Sequence, residues 1–190
     1  MDLTEKTTSS ELLVDGVLLK AYRDVVRLPD GGESVREWID HPGASAMVPL
    51  FPDGSTILIR QYRYGPRREF LEVPAGKLDV PGESPEAVAV RELEEEIGYT
   101  AAKLVKVGET YPCIGYANEV IHLFLAEDLT PCQQATETDE FVIPVRMAFA
   151  EAVRMARAGE ILDAKSTVAL LLTQAFLDRR DSDDIAPISC

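Results

Sequence analysis

The chain has 190 residues, of which 46% are hydrophobic and 27% charged. That composition fits one sizeable globular core and excludes a disordered chain. Acidic residues outnumber basic ones 33 to 19, a net charge of −14, which repels nucleic-acid phosphate and excludes a nucleic-acid partner. The polar N-terminus MDLTEKTTSS lacks the apolar stretch of a signal peptide, and runs such as Val168 to Leu172 are too short to span a bilayer. Cys113, Cys132 and Cys190 are odd in number and widely spaced. They outline no disulfide framework or zinc site, so a cytoplasmic protein with no membrane partner is expected.

In chain order, residues 11–40 read as short strands around the turn Pro29-Asp30-Gly31-Gly32. They predict a small antiparallel sheet ahead of the main domain. A second strand pair is expected at ASAMVPLF and STILIRQYRY, joined at Pro52-Asp53-Gly54, then a short strand over Phe70 to Val73. The clearest helix starts at Ser84, which can cap it, with Pro85 and Glu86 in its first turn, and stops at Gly98. Val90, Leu93 and Ile97 give it an apolar stripe. Strands around Leu104–Thr110 and Val120–Ala126 follow, then amphipathic helices over Met147–Ala158 and Ser166–Leu177 separated by Gly159. This mixture predicts a layered α/β (α+β) domain with a mixed sheet. The expected division is an N-terminal sheet region at 1–42, a catalytic domain at 43–180 and a fraying tail at 181–190.

The segment GKLDVPGESPEAVAVRELEEEIGY, Gly76 to Tyr99, carries the chemistry. Glu92, Glu95 and Glu96 lie at i, i+3 and i+4, so three carboxylates leave one side of a helix. Like charges so placed repel, and hard divalent cations such as Mg²⁺ prefer oxygen ligands of this kind. Arg91 sits one turn before Glu95, where it can orient a carboxylate. An isolated acidic triplet is more often a solvated helix face; the cap, the preceding glycine loop and the arginine argue otherwise here.

This segment resembles the Nudix box, G-x5-E-x7-R-E-U-x-E-E-x-G-U, with U a bulky aliphatic residue. Gly76, Glu83, Arg91, Glu92, Leu93, Glu95, Glu96 and Gly98 fill its fixed positions. It departs twice: six residues rather than five separate Gly76 from Glu83, and Tyr99 holds the last position. The resemblance implies an α/β/α sandwich in which Glu92, Glu95, Glu96 and the Ala75 carbonyl hold Mg²⁺ or Mn²⁺. It further implies that Glu83 pairs with Arg91 and braces the loop, and that Glu95 and Arg91 belong to the catalytic set.

EWIDHPGA, Gln61-Tyr62-Arg63, LEVPAGKL and GEILDAK are similar to the branch that cleaves ADP-ribose and other nucleoside diphosphate sugars. That similarity spans about residues 35 to 175 and implies a homodimer in which the N-terminal sheet helps build the partner's site. It carries Arg63 and Glu72 over as substrate-side residues, Arg63 through its forked donors to a phosphate oxygen. Trp38 can stack on a nucleobase or pack in a core or dimer contact, and Arg36 joins the substrate-side set. Arg67 and Arg68 form a basic island, near phosphate or merely solvated. The branch's loop base matches Glu140 in ETDEF, with Glu137 second. Where ADP-ribose hydrolases have proline, fifteen residues past Tyr99, this chain has Ile114. The expected substrates therefore include GDP-mannose and other nucleoside diphosphate sugars beside ADP-ribose. A nucleotide-sensing module and an isoprenyl diphosphate isomerase are the competing readings. The intact glutamate set argues against the first, and the absence of a cysteine in a convincing context argues against the second.

Overall fold

The computed structural model describes residues 1–134 and 141–184. Strands β1 (Lys6–Asp15), β2 (Lys20–Arg27) and β3 (Glu33–Asp40) form an antiparallel sheet in that order. The Pro29–Gly32 turn closes β2 onto β3, with Gly31 at φ 91° and the Gly31 amide donating to the Leu28 carbonyl. Segment 111–120 joins these strands as one compact unit, Met1–Gly43 with Tyr111–Val120. Ala117 makes a parallel bridge to Ile39, and the Asn118 side chain ties the Asp40 carboxylate to the His41 amide. Nothing in local sequence pattern groups residues 111–120 with the N-terminus, because the pairing is long-range.

The second unit comprises Ala44–Thr110 and the chain from Ile121 onward. Its strands are β4 (Ala44–Pro49), β5 (Ser55–Arg63), β6 (Arg68–Glu72), β7 (Ala75–Lys77), β8 (Tyr99–Thr110), β9 (Ile121–Pro131) and β10 (Val142–Ala148). They form a mixed sheet in the order β7-β4-β9-β8, with β4 and β9 parallel, and an antiparallel sheet β10-β5-β6. The helices are α1 (Pro85–Ile97), α2 (Phe149–Arg157) and α3 (Ala164–Asp184).

The mixed sheet is buried on both faces, and alternation along its strands divides the core in two. Ala44, Ala46 and Val48 of β4, with Ile121 and Leu123 of β9, pack with α2 and α3 through Val153, Ala156, Ala169 and Leu170. Met47, Phe124 and Ala126 face the opposite way and meet Ala89, Leu93 and Ile97 of α1. The result is a helix–sheet–helix sandwich. Among the described residues no helix is long and apolar enough to cross a membrane.

Several expectations need correction. The segments at 44–51 and 55–64 are strands but not a sheet pair: beyond one bridge, Leu50 to Thr56, they diverge into different sheets. Strand β4 is buried along its whole length and β5 over Thr56–Ile59, so each needs neighbours on two faces rather than a hairpin partner alone. On α1 the buried stripe is Ala89, Leu93 and Ile97 together with Val88, whereas Val90 is only partly buried. The helix also turns Glu92 and Glu96 inward. Strands β8 and β9 run longer than expected, and β10 occupies the start of the expected helix at Met147. Helix α3 runs from Ala164 to Asp184, longer at both ends than the Ser166–Leu177 expected.

Candidate active site

Helix α1 presents the acidic cluster. Ser84 caps it by accepting from the Ala87 amide, and Gly98 ends it in the left-handed conformation, φ 71°. Between these ends Arg91 forms a hub. Its Nη1 donates to Glu92 Oε1 at 2.8 Å and to Glu95 Oε2 at 2.9 Å. Its Nε and Nη2 both reach Glu83, each at 3.2 Å. Glu83 precedes the helix, so one guanidinium fastens the loop to two helical carboxylates. Burial opposes the charge on Arg91, but Glu83, Glu92 and Glu95 together raise its pKa further above the ordinary arginine value.

The approach to α1 is by strand β7. The Ala75 amide donates to Glu96 Oε2 at 2.9 Å, and Glu96 is almost wholly buried. Gly76 lies against Glu92 so closely that a Cβ at this position would overlap the Glu92 side chain. Glycine is therefore required by close approach rather than by backbone angle. Of the six residues between Gly76 and Glu83, Lys77 belongs to β7 and 78–82 form the loop that leads to Glu83.

Beside this cluster lies one the sequence reading only partly anticipated. Glu72, at the end of β6, is 2% exposed. It accepts from Arg63 Nε at 2.8 Å and Nη2 at 2.7 Å, and Lys165 Nζ shares its Oε2. Burial opposes ionisation of Glu72, but Arg63 and Lys165 overcome it and hold its pKa below the usual carboxylate range. Glu72's hydrogen bonds raise the Arg63 pKa against burial, and Glu96 and Asp163 add to the negative field there. Lys165 also donates to Asp163 Oδ2 at 2.9 Å, and that oxygen accepts from the Ser166 amide and hydroxyl. Asp163, Lys165 and Ser166 received no role from sequence. The available signal was an Asp-x-x-Ser at the start of a helix, with a lysine inside it.

The other site residues fall as follows. Arg67 takes a positive φ, 57°, and stacks its guanidinium on Tyr64, 3.4 Å from the ring centroid. In the N-terminal unit, Trp38 stacks on Tyr22 with ring centroids 5.0 Å apart, and its indole donates to Asp24 at 3.0 Å. Arg36 pairs with Glu5 at 2.9 and 2.5 Å rather than standing open. Ile114 is exposed on the 111–120 segment. Glu137 and Glu140 lie outside the described residues.

As a metal site, the donor set is all carboxylate oxygen, which suits a hard divalent cation. Among the described residues no three acidic, histidine or cysteine side chains stand close enough to hold an ion as placed. Arg91 instead grips two of the three box glutamates. The fit thus rests on donor chemistry and on the Gly76 cradle that admits the Glu92 carboxylate.

Residues 41–170 match the family model described as NUDIX domain. An ADP-ribose pyrophosphatase of Bacillus subtilis (strain 168) is 40% identical over 174 residues, 90% of this chain and 94% of that protein. A protein of Bacillus methanolicus named methanol dehydrogenase activator is 35% identical over 172 residues, 90% of this chain and 92% of that one. A solved structure described as an ADP compounds hydrolase superposes with a TM-score of 0.82, covering 95% of this chain and 98% of its own at 24% identity. That likeness shows a shared fold. With the box positions filled and the sandwich in place, the chain belongs to the Nudix family and is one of its pyrophosphohydrolases.

Proposed function

We propose that this protein hydrolyses the pyrophosphate linkage of ADP-ribose, or of a closely similar nucleoside diphosphate sugar, in a reaction dependent on Mg²⁺ or Mn²⁺. The products are a nucleoside monophosphate and a sugar phosphate. The observation that carries this reading is the acidic face of α1, where Glu92, Glu95 and Glu96 project beside Arg91 and the Gly76 cradle. The ADP-ribose pyrophosphatase of Bacillus subtilis, similar over nearly the full length of both chains, supports the substrate class.

Glu92, Glu95 and Glu96, with the Ala75 carbonyl, would hold the cation. When bound it supplies positive charge that offsets the diphosphate and the charge developing at phosphorus. In a protein of net charge −14, an anionic substrate needs such compensation. Arg63 offers a half-exposed guanidinium to a phosphate oxygen. Arg91 and Glu83 keep the box loop on the helix. A water oxygen bonds to one phosphorus, the bridging phosphorus–oxygen bond breaks, and the bridging oxygen leaves with the other phosphate. The water's proton passes to a carboxylate, for which Glu140 is the first choice and Glu137 the second.

Trp38, with Tyr22 behind it, offers an aromatic face to the nucleobase. Arg36, Arg67 and Ile114 complete the substrate-side set. A second copy of this chain is the proposed partner. Strand β1 buries none of its residues, and Leu12, Leu13, Val14, Leu18 and Leu19 remain exposed around the β1–β2 hairpin. Cys113 and Cys132 are free thiols, which suits the cytoplasm as its place of work.

The test is product analysis with Mg²⁺ and a panel of ADP-ribose, GDP-mannose, UDP-glucose, diadenosine polyphosphates and nucleoside triphosphates. Release of a nucleoside monophosphate and a sugar phosphate from one diphosphate sugar is the expected result. Cleavage of none, with either Mg²⁺ or Mn²⁺, would overturn the reading in favour of a nucleotide-binding module.

A further inference from the structure

Arg63 meets Glu72 with one edge of its fork only. Nε and Nη2 lie on the two carboxylate oxygens, while Nη1 has no partner among the described residues, and the side chain is 39% exposed. Its orientation therefore depends on how firmly Glu72 is held. Glu72 is held by the first turn of α3. Lys165, itself only 12% exposed, places Nζ on Glu72 Oε2 and on Asp163 Oδ2. Ser166 accepts from the Val73 amide at 2.8 Å and donates to the same Asp163 oxygen at 2.5 Å. Two successive residues of the chain entering the box, Glu72 by its side chain and Val73 by its backbone, are thus fastened to one short motif, Asp163-Ala164-Lys165-Ser166. Two residues further on, the Ala75 amide meets Glu96.

We propose that Lys165 is a positioning residue: by sharing Glu72 with Arg63 it fixes the guanidinium with Nη1 turned outward for a substrate phosphate. The choice of phosphate rests on the reading of Arg63 given above. Physically, a carboxylate with one cationic partner can rotate about its side chain and take that partner with it. One clamped by a second cation on a helix terminus cannot, and the arginine it carries is then ordered before substrate arrives. A burial cost would disfavour a lysine kept here for packing alone, because an apolar side chain would fill the same space without desolvating an ammonium.

The experiment compares the wild-type chain with Lys165→Met, Lys165→Arg and Arg63→Ala, using ADP-ribose with Mg²⁺ and, separately, ¹⁵N NMR of the Arg63 Nε–H group in the substrate-free protein. Lys165→Met is expected to raise KM about tenfold or more while kcat changes by less than about threefold, with Lys165→Arg restoring most of the loss. Its Arg63 Nε–H signal is expected to broaden or shift, whereas that of Lys165→Arg stays sharp. The double variant Arg63→Ala, Lys165→Met should bind no worse than Arg63→Ala alone, because the lysine acts through the arginine. An unchanged KM and an unchanged Arg63 signal in Lys165→Met would overturn the proposal. If Arg63→Ala leaves KM unchanged while the Arg63 signal responds to Lys165→Met, the phosphate reading fails and the positioning role stands. Should Lys165→Met not fold, Asp163→Asn loosens the same lysine and must raise KM in the same direction; no rise there overturns the proposal equally.

Discussion

Gly76 and Glu92 occupy adjoining space so completely that a Cβ on the first would overlap the carboxylate end of the second. Glu92 is 7% exposed and held on its other side by Arg91, so it cannot simply swing away. Gly76→Ala should therefore displace the carboxylate or push β7 from α1. We expect a loss of about 1–3 kcal/mol in stability, typical of overpacking, and a fall in turnover of about a hundredfold or more. Denaturant unfolding and Mg²⁺-dependent hydrolysis measured on the same preparation check this. An alanine variant with full activity would show that Glu92 is not required where it stands.

Arg91 gathers carboxylates from two segments, Glu83 from the loop and Glu92 and Glu95 from the helix. Arg91→Met keeps the stem but removes the charge, leaving three acids without their common partner. A loss of about 2 kcal/mol is expected, the order of a hydrogen bond to a charged group, together with a higher Mg²⁺ requirement. Salt should recover part of the stability by screening the carboxylates. If the variant lost neither stability nor activity, the brace formed by Glu83 and Arg91 would have no function.

How far the site was legible follows from which contacts are local. The spacing of Glu92, Glu95 and Glu96, the Ser84 cap and the Gly98 stop all lie within one helix, so sequence periodicity reaches them. The network around Glu72 does not share that property: Lys165 and Ser166 stand 93 positions from Glu72 and Val73 respectively. Only the fold reveals that β6 ends against the start of α3. The same limit misassigned β4 and β5 as a hairpin pair, since Pro52-Asp53-Gly54 gives a turn but not the sheet each strand enters. It also hid the inward turn of Glu92 and Glu96, because a carboxylate pattern does not say whether it faces water or a buried strand.

Glu72 supplies a prediction in pH. Its folded pKa lies below its ordinary value of 4.5, where Arg63 and Lys165 outweigh burial. A depressed carboxylate pKa contributes stability that is fully present above the unfolded value and lost as pH falls through the folded one. The stability difference between wild type and Glu72→Gln should therefore be largest at neutral pH and shrink below about pH 4, near the unperturbed glutamate value. Urea unfolding at pH 7 and pH 3.5 reads this directly. A difference that stayed constant or grew on acidification would mean that Glu72 does not carry its charge in the folded protein.

Glu96 separates the structural from the metal-binding role of the box. Its Oε2 accepts the Ala75 amide, a bond that the amide oxygen of Gln can replace. Removing its charge also relieves repulsion from Glu92, one turn away on the same helix. In EDTA, Glu96→Gln should accordingly be as stable as wild type or slightly more so. Adding Mg²⁺ reverses the comparison, since an ion that binds only the folded state stabilises it in proportion to its affinity. Wild type should then rise in Tm and Glu96→Gln should rise far less, with turnover lower by about a thousandfold. Equal Mg²⁺-induced shifts in the two proteins would place the cation elsewhere and leave Glu96 with a structural role.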